Sequence, residues 1–232
     1  MLVSEYSAVW LSFKVATLCA IVNTIPAIFF GWLLARKEFP GKNLLNGLLH
    51  LPLVLPPVTT GYLLLLLFGN NSFIGSAIMK LTGIRLSFSI YAAIIASSII
   101  SFPFFTRAVR IAIEMTDEKY EQAAWTLGAS KLRSFVTITL PLAFPGILSG
   151  FILSFARSFG EFGATITFAG NIAGETRTLP LAIFTNMQVP GQEETVLKLA
   201  LISIAVSFAA LFLSEYFISR KKRKIKKECN CY

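Results

Sequence analysis

The sequence predicts an all-α integral membrane protein with about five transmembrane helices, built as one membrane domain over residues 1–232. Three observations carry this. The chain is 55% hydrophobic and 14% charged, with a mean hydropathy of +0.68. A soluble domain carries about 25% charged residues, so this chain has too little polar surface to cover a soluble body. Five runs are apolar over the roughly 20 residues a helix needs to cross a bilayer. Finally, fifteen of the twenty-one Lys and Arg fall in three of the regions between and after those runs.

The first predicted span is Val15 to Ala35, uncharged, with Lys14 at its outer edge. It is preceded by Glu5 rather than a basic segment and is too long for a signal-peptide core, so it is expected to remain as a span. The second is Leu48 to Phe68, with His50 at its boundary and three prolines (Pro52, Pro56, Pro57) plus Gly61 within eleven residues. Each proline removes a backbone donor, and the freed carbonyls need partners from protein or cavity water. A kinked helix packed among neighbours and a pore-lining or gating segment both fit, with Pro56 and Pro57 as the gate candidates. The third span is Leu86 to Thr106. The fourth runs from Pro141 to about Phe168 and contains Arg157 and Glu161. The fifth is Leu199 to Ser219.

Arg36, Lys37 and Lys42 follow the first span, and Arg107, Arg110, Lys119, Lys131 and Arg133 lie between the third and fourth. Seven more basic residues occupy the tail, 220–232. The opposite side holds Lys80, Arg85, Arg177 and Lys198. Basic residues favour the cytoplasm, so the N-terminus is expected outside and the basic tail inside, as a membrane-surface anchor. This clustering, with no basic face, argues against nucleic acid as a partner for a chain of net charge +9. The two outer loops, residues 69–85 and 170–198, read as polar connections.

Cys19, Cys229 and Cys231 make no disulfide framework, and Cys229 and Cys231 read as reduced thiols without a metal. No catalytic cluster, metal-ligand set or cofactor motif is visible, and there is no G-x-x-x-x-G-K-[ST] phosphate cradle. Inside the fourth span Arg157 and Glu161 stand four residues apart on one helix face. A charge at the bilayer centre costs about 2.5–3.5 kcal/mol on insertion scales; Arg157, about 24 Å along the helix from Pro141, lies nearer the outer surface, where the cost is smaller. A mutually neutralised structural pair is favoured over an anion-attracting mouth, and such pairs in spans often do both jobs. Gly160 and Gly163 beside them permit close helix approach.

The segment from Asp117 to Arg133 is helical by pattern, with Thr116, Asp117 and Glu118 at its start. Ala123, Ala124 and Leu127 are spaced along it, and Gly128 ends it or permits a turn. By itself this is an amphipathic interfacial helix. With Ile138-Thr139-Leu140-Pro141 it resembles the cytoplasmic loop of ABC importer permeases, whose motif is Glu-Ala-Ala, three residues, Gly, nine residues, then Ile-x-Leu-Pro. The family's Glu falls on Gln122, with Glu121 beside it. Over most of the chain, Leu51-Pro52-Leu53-Val54-Leu55-Pro56-Pro57-Val58, Phe155 to Thr165 and Gly174 to Pro180 resemble the molybdate permeases. Sulfate, thiosulfate and tungstate permeases share the Gly160-Glu161-Phe162-Gly163-Ala164 portion.

The resemblance implies a non-enzymatic pore subunit of the bacterial cytoplasmic membrane, without a cofactor of its own. It implies a homodimer, a cytoplasmic ABC ATPase dimer and an external molybdate-binding protein. The ATPase-coupling residues would be Glu121, Gln122, Ala123, Ala124, Leu127 and Gly128, within a loop over 117–141. Pro56, Pro57, Arg157, Glu161 and Gly163 would belong to the translocation path or its gate. A sulfate or tungstate permease is the neighbouring alternative. An integral membrane enzyme would need more polar residues within the spans, and a scaffold would not need the 122–141 pattern.

Overall fold

The computed structural model describes the backbone of residues 2–229 and the side chains of residues 5–216. The expected basic tail, with Cys229 and Cys231, lies outside the described side chains. The described residues are helical, without strands.

Helix α1 (Leu2–Arg36), α5 (Ile90–Glu114) and α8 (Leu140–Phe159) pack on one another at the centre. Helix α11 (Glu193–Cys229) lies along α8. Small side chains let the central helices approach: Ala16, Ala20, Ala27, Ala92, Ala93 and Ala96 are fully buried. In a bilayer, association relies on such close packing and on interhelical hydrogen bonds rather than on water exclusion. Both are present. At mid-helix, Asn23 Nδ2 donates to the Ser98 carbonyl (3.0 Å) and to Ser101 Oγ (3.1 Å). Ser154 Oγ donates to Ser101 Oγ (3.1 Å), and the Cys19 thiol meets Ser158 Oγ at 2.8 Å. These groups satisfy one another where lipid could not.

The first and fifth predicted spans extend as helices beyond their expected bounds; the third begins four residues later than expected, at Ile90 after the Ser89 cap, and runs on to Glu114. The second does not form one helix. It divides into α2 (Lys42–Val54) and α3 (Pro57–Phe68), bent by 112°. The physical reason is Pro56-Pro57: neither residue has an amide hydrogen to continue the ladder. Leu55 turns extended as residues before proline do, and Pro57 restarts a helix at its first position, where proline is tolerated. Counting this bent pair, the described residues hold up to five apolar crossings.

The fourth span also differs from expectation. Its helix starts earlier, as α7 (Lys131–Ser134) followed by a π-helical turn (Phe135–Thr139) and then α8, and it ends at Phe159. A short α9 (Gly163–Phe168) follows after a break at Gly160. Within the Asp117–Arg133 segment, α6 (Lys119–Thr126) and α7 are separated by a turn at which Gly128 adopts φ +85°, the helix end or turn expected of that residue. Only glycine takes that conformation freely.

The two loops expected on the outer side, residues 69–85 and 170–198, carry helices where the sequence predicts polar connections. In the first, α4 (Phe73–Thr82) is capped by Ser72 Oγ accepting from Gly75 N and stopped by Gly83 at φ +71°. In the second, α10 (Leu179–Met187) starts with Pro180 in its first turn and is tied to α1 by Leu179 N donating to Ser12 Oγ (2.6 Å).

Candidate functional site

Two sets of predicted residues lie at opposite ends of the central helices. At the first, the loop between α5 and α8 folds back under α1. The side chain of Arg36, at the end of α1, is only 9% exposed. Its Nη1 donates to Glu118 Oε1 (2.9 Å) and its Nη2 to the Thr116 carbonyl (2.7 Å). Its Nε stands 3.5 Å from Glu121 Oε1, a Coulombic contact longer than a hydrogen bond. Glu121 points inward, and its Oε1 also accepts from Thr139 Oγ1 (2.5 Å) in the π turn. Trp125 Nε1 donates to Ser134 Oγ (2.7 Å), closing α6 onto α7, and Lys131 Nζ lies 5.9 Å from the Trp125 ring centroid.

With its inner side so anchored, α6 turns Gln122 and Ala123 outward, while Ala124 is half-buried. Leu127 is 89% exposed, and Met115, Tyr120 and Leu132 are exposed apolar neighbours in sequence. Gly128 forms the turn beside them. The six residues singled out from the sequence therefore divide in role of placement: Glu121 seats the helix, and Gln122, Ala123 and Leu127 are displayed. Arg36, Trp125 and Ser134 were not singled out. Their partners are nine to eighty-five positions away along the chain, and no local pattern announces them.

At the other end, Arg157 and Glu161 do pair, Nη1 to Oε2 at 2.7 Å. The arginine side chain is 30% exposed and the glutamate 1%. Glu161 sits past the end of α8, and its second oxygen accepts from Ala164 N (2.9 Å) in the first turn of α9. One carboxylate thus bridges two helices, and its charge is matched by one guanidinium. Such a pair fits the neutralised structural reading. Gly163 and Pro57 meet directly: a Cβ on Gly163 would lie 2.8 Å from Pro57 Cβ and 3.2 Å from Val58 N. One turn on, a Cβ on Gly61 would lie 2.7 Å from the Ala164 carbonyl oxygen. The bent α3 and the short α9 are therefore locked backbone to backbone. The structure groups Pro57, Gly163 and Glu161 at this crossing; Pro56 is exposed at the bend.

The model of the binding-protein-dependent transport system inner membrane component family matches residues 27–223. The chain is 51% identical to the molybdenum transport system permease protein ModB of Haemophilus influenzae, over 95% of this chain and 96% of that protein. It is 52% identical to the protein of the same name from Escherichia coli K12, over 94% and 96%. Among solved structures, the inward-facing MetNI methionine ABC transporter aligns with a TM-score of 0.68 at 16% identity, covering 94% of this chain and 97% of that one. That likeness speaks to the fold. With the broken second span, the exposed α6 face and a match across most of its length, the chain belongs to the family of inner-membrane permease components of binding-protein-dependent transport systems.

Proposed function

We propose that the chain is the permease subunit of an ATP-driven importer that moves molybdate into the bacterial cytoplasm. The observation that carries this reading is the 51% identity, sustained over 95% of the chain, to a molybdenum transport permease. The protein conducts and couples, and catalyses nothing itself. ATP is hydrolysed by a separate cytoplasmic ATPase dimer, since this sequence lacks a phosphate-cradling loop. The exposed apolar face at Tyr120, Leu127 and Leu132, with Gln122 and Ala123, is the docking surface for that ATPase.

Five crossings are too few to enclose a path, so two copies assemble as a homodimer around it. An external molybdate-binding protein delivers the anion, in keeping with the family's description. The N-terminus lies outside and α6 inside, the arrangement that places fifteen basic residues toward the cytoplasm and four outside. The α3–α9 crossing, with Pro56 and Pro57 at the bend, moves as one gate element. Because Glu161 already neutralises Arg157, the path offers little to hold a dianion. Selection among tetrahedral oxyanions then falls to the binding protein.

The test is genetic and chemical. A deletion strain should lose molybdenum-enzyme activity at trace molybdate and recover it when molybdate is supplied in excess. Sulfur auxotrophy with normal molybdenum enzymes would replace the molybdate reading with sulfate.

A further inference from the structure

The ion pairs that tie α1 to the α5–α8 loop all run through one side chain among the described residues, that of Arg36. Helix α6 itself packs on α7 and the π turn. Its link to α1 is made by the guanidinium, which reaches three points of the loop at once. These are the Thr116 carbonyl just past the end of α5, Glu118 at the start of α6, and Glu121 in its first turn. Glu121 continues the chain to Thr139 in the π turn that leads into α8. A guanidinium is planar, always charged and carries five donors in a fixed fork, whereas a lysine ammonium is a single point charge on a flexible stem. The site therefore uses a property of arginine beyond its charge. Of the other ion pairs near this end, Lys42–Glu38 and Arg110–Glu114 join residues four apart, and Arg110 also reaches Asn46 of α2 (3.4 Å); neither ties α1 to α6.

We infer that Arg36 is a positioning residue for transport: it fixes α6 to the inner end of α1, so that force applied to α6 displaces α1 and α8 together. This rests on the importer reading above and adds the joint through which that importer would transmit motion. Without Arg36, α6 could still dock on its partner and be moved by it, but the motion would be absorbed in the loop. ATP would then be hydrolysed without cargo.

The test uses the full complex in proteoliposomes, with the external binding protein and molybdate, and measures molybdate taken up per ATP hydrolysed. Arg36→Gln should assemble with the ATPase, retain hydrolysis, and lower uptake per ATP at least tenfold. Arg36→Lys should restore only part of that ratio. Glu38→Gln, which alters an exposed pair, should leave it unchanged. Should Arg36→Gln fail to assemble, Thr139→Val keeps the ion pair and severs only the onward link to the π turn; it should lower the ratio about threefold. A spin-label distance between Lys37→Cys and Lys119→Cys should be narrow and constant across nucleotide states with Arg36 present. It should broaden in Arg36→Gln. Wild-type uptake per ATP in assembled Arg36→Gln or in Thr139→Val, or a distance that stays narrow without Arg36, overturns the inference. If the wild-type complex moves no molybdate, the cargo assignment fails instead, and the distance measurement decides the role of Arg36.

Discussion

Replacing Gly61 tests the α3–α9 crossing most directly. A Cβ at Gly61 would stand 2.7 Å from the Ala164 carbonyl oxygen, 2.9 Å from Ala164 Cα and 2.9 Å from Thr167 Cβ. Ordinary non-bonded carbon contacts lie near 3.5–4.0 Å. Two of the three obstacles are backbone atoms, which no rotamer change can remove, so α3 and α9 must separate by roughly 0.8 Å. Gly61→Val adds three carbons at this point. Overpacking of this kind costs about 3 kcal/mol at the upper end of its usual range. The better helix propensity of valine returns about 0.4 kcal/mol. The net loss of about 2.5 kcal/mol corresponds to a melting temperature lower by about 5–10 °C for a chain of this size.

The assay follows from the same structure. Cys19 is fully buried, so with Cys229 and Cys231 replaced by serine, a thiol-reactive dye reports unfolding through Cys19 alone. Gly47→Ala in α2 is the control. A Cβ there meets nothing within 4 Å, and exchanging a helical glycine for alanine should raise stability by about 0.5–1 kcal/mol. A Gly61→Val protein that melts at or above the wild-type temperature would refute the packing argument.

Two further outcomes are expected. With the tail cysteines removed, Leu127→Cys should resist an impermeant maleimide in intact cells, react in inverted vesicles stripped of peripheral subunits, and be protected when the ATPase is added back; labelling from outside would invert the proposed orientation. Arg157→Met should destabilise by about 3 kcal/mol, because it leaves the buried Glu161 carboxylate without its cation, and adding Glu161→Gln should bring stability back to within about 1 kcal/mol of wild type; simple additivity of the two changes in the same melting assay would show that the pair is not coupled.

Much of this architecture was legible because its signals are local. Apolar runs announce helices, and the helix-breaking chemistry of Pro56-Pro57 was visible, although its outcome was not. Proline reports a lost hydrogen bond; whether the chain kinks or turns by 112° is decided by what packs beyond it, here α9 against Gly61. The helices α4 and α10 were missed because each is short and flanked by Gly, Asn and Thr. Yet Ser72 before Phe73, and Pro180 in the first turn of α10, were usable start signals. The early start of the fourth helix was hidden by its π turn: residues before and after Phe135–Thr139 are out of phase, so no single helical period fits both. In the candidate site, Ala123 and Leu127 were read from helical spacing, and Gln122 from the resemblance of the segment to the importer loop. The Arg36 joint did not, since it unites positions 36, 116, 118, 121 and 139, which only the fold brings together.

The continuity of α7, the π turn and α8 has a mechanical consequence. Residues 131 to 159 form a helical stretch of 29 residues, about 43 Å long at 1.5 Å per residue. The hydrocarbon layer is about 30 Å thick, which leaves an arm of about 13 Å in the water. In the proposed orientation that arm is cytoplasmic, and it carries the Thr139–Glu121 contact near its base. Pivoted at the inner boundary, the two arms stand in a ratio of roughly two to one, so a push of about 1 Å at α7 swings the outer end near Phe159 by about 2 Å. The outer end is where Arg157 and Glu161 hold α9, and α9 holds the bent α3. A lever of this proportion lets a small displacement in water become a larger one at the far face of the membrane, without any part of the driving loop entering the lipid.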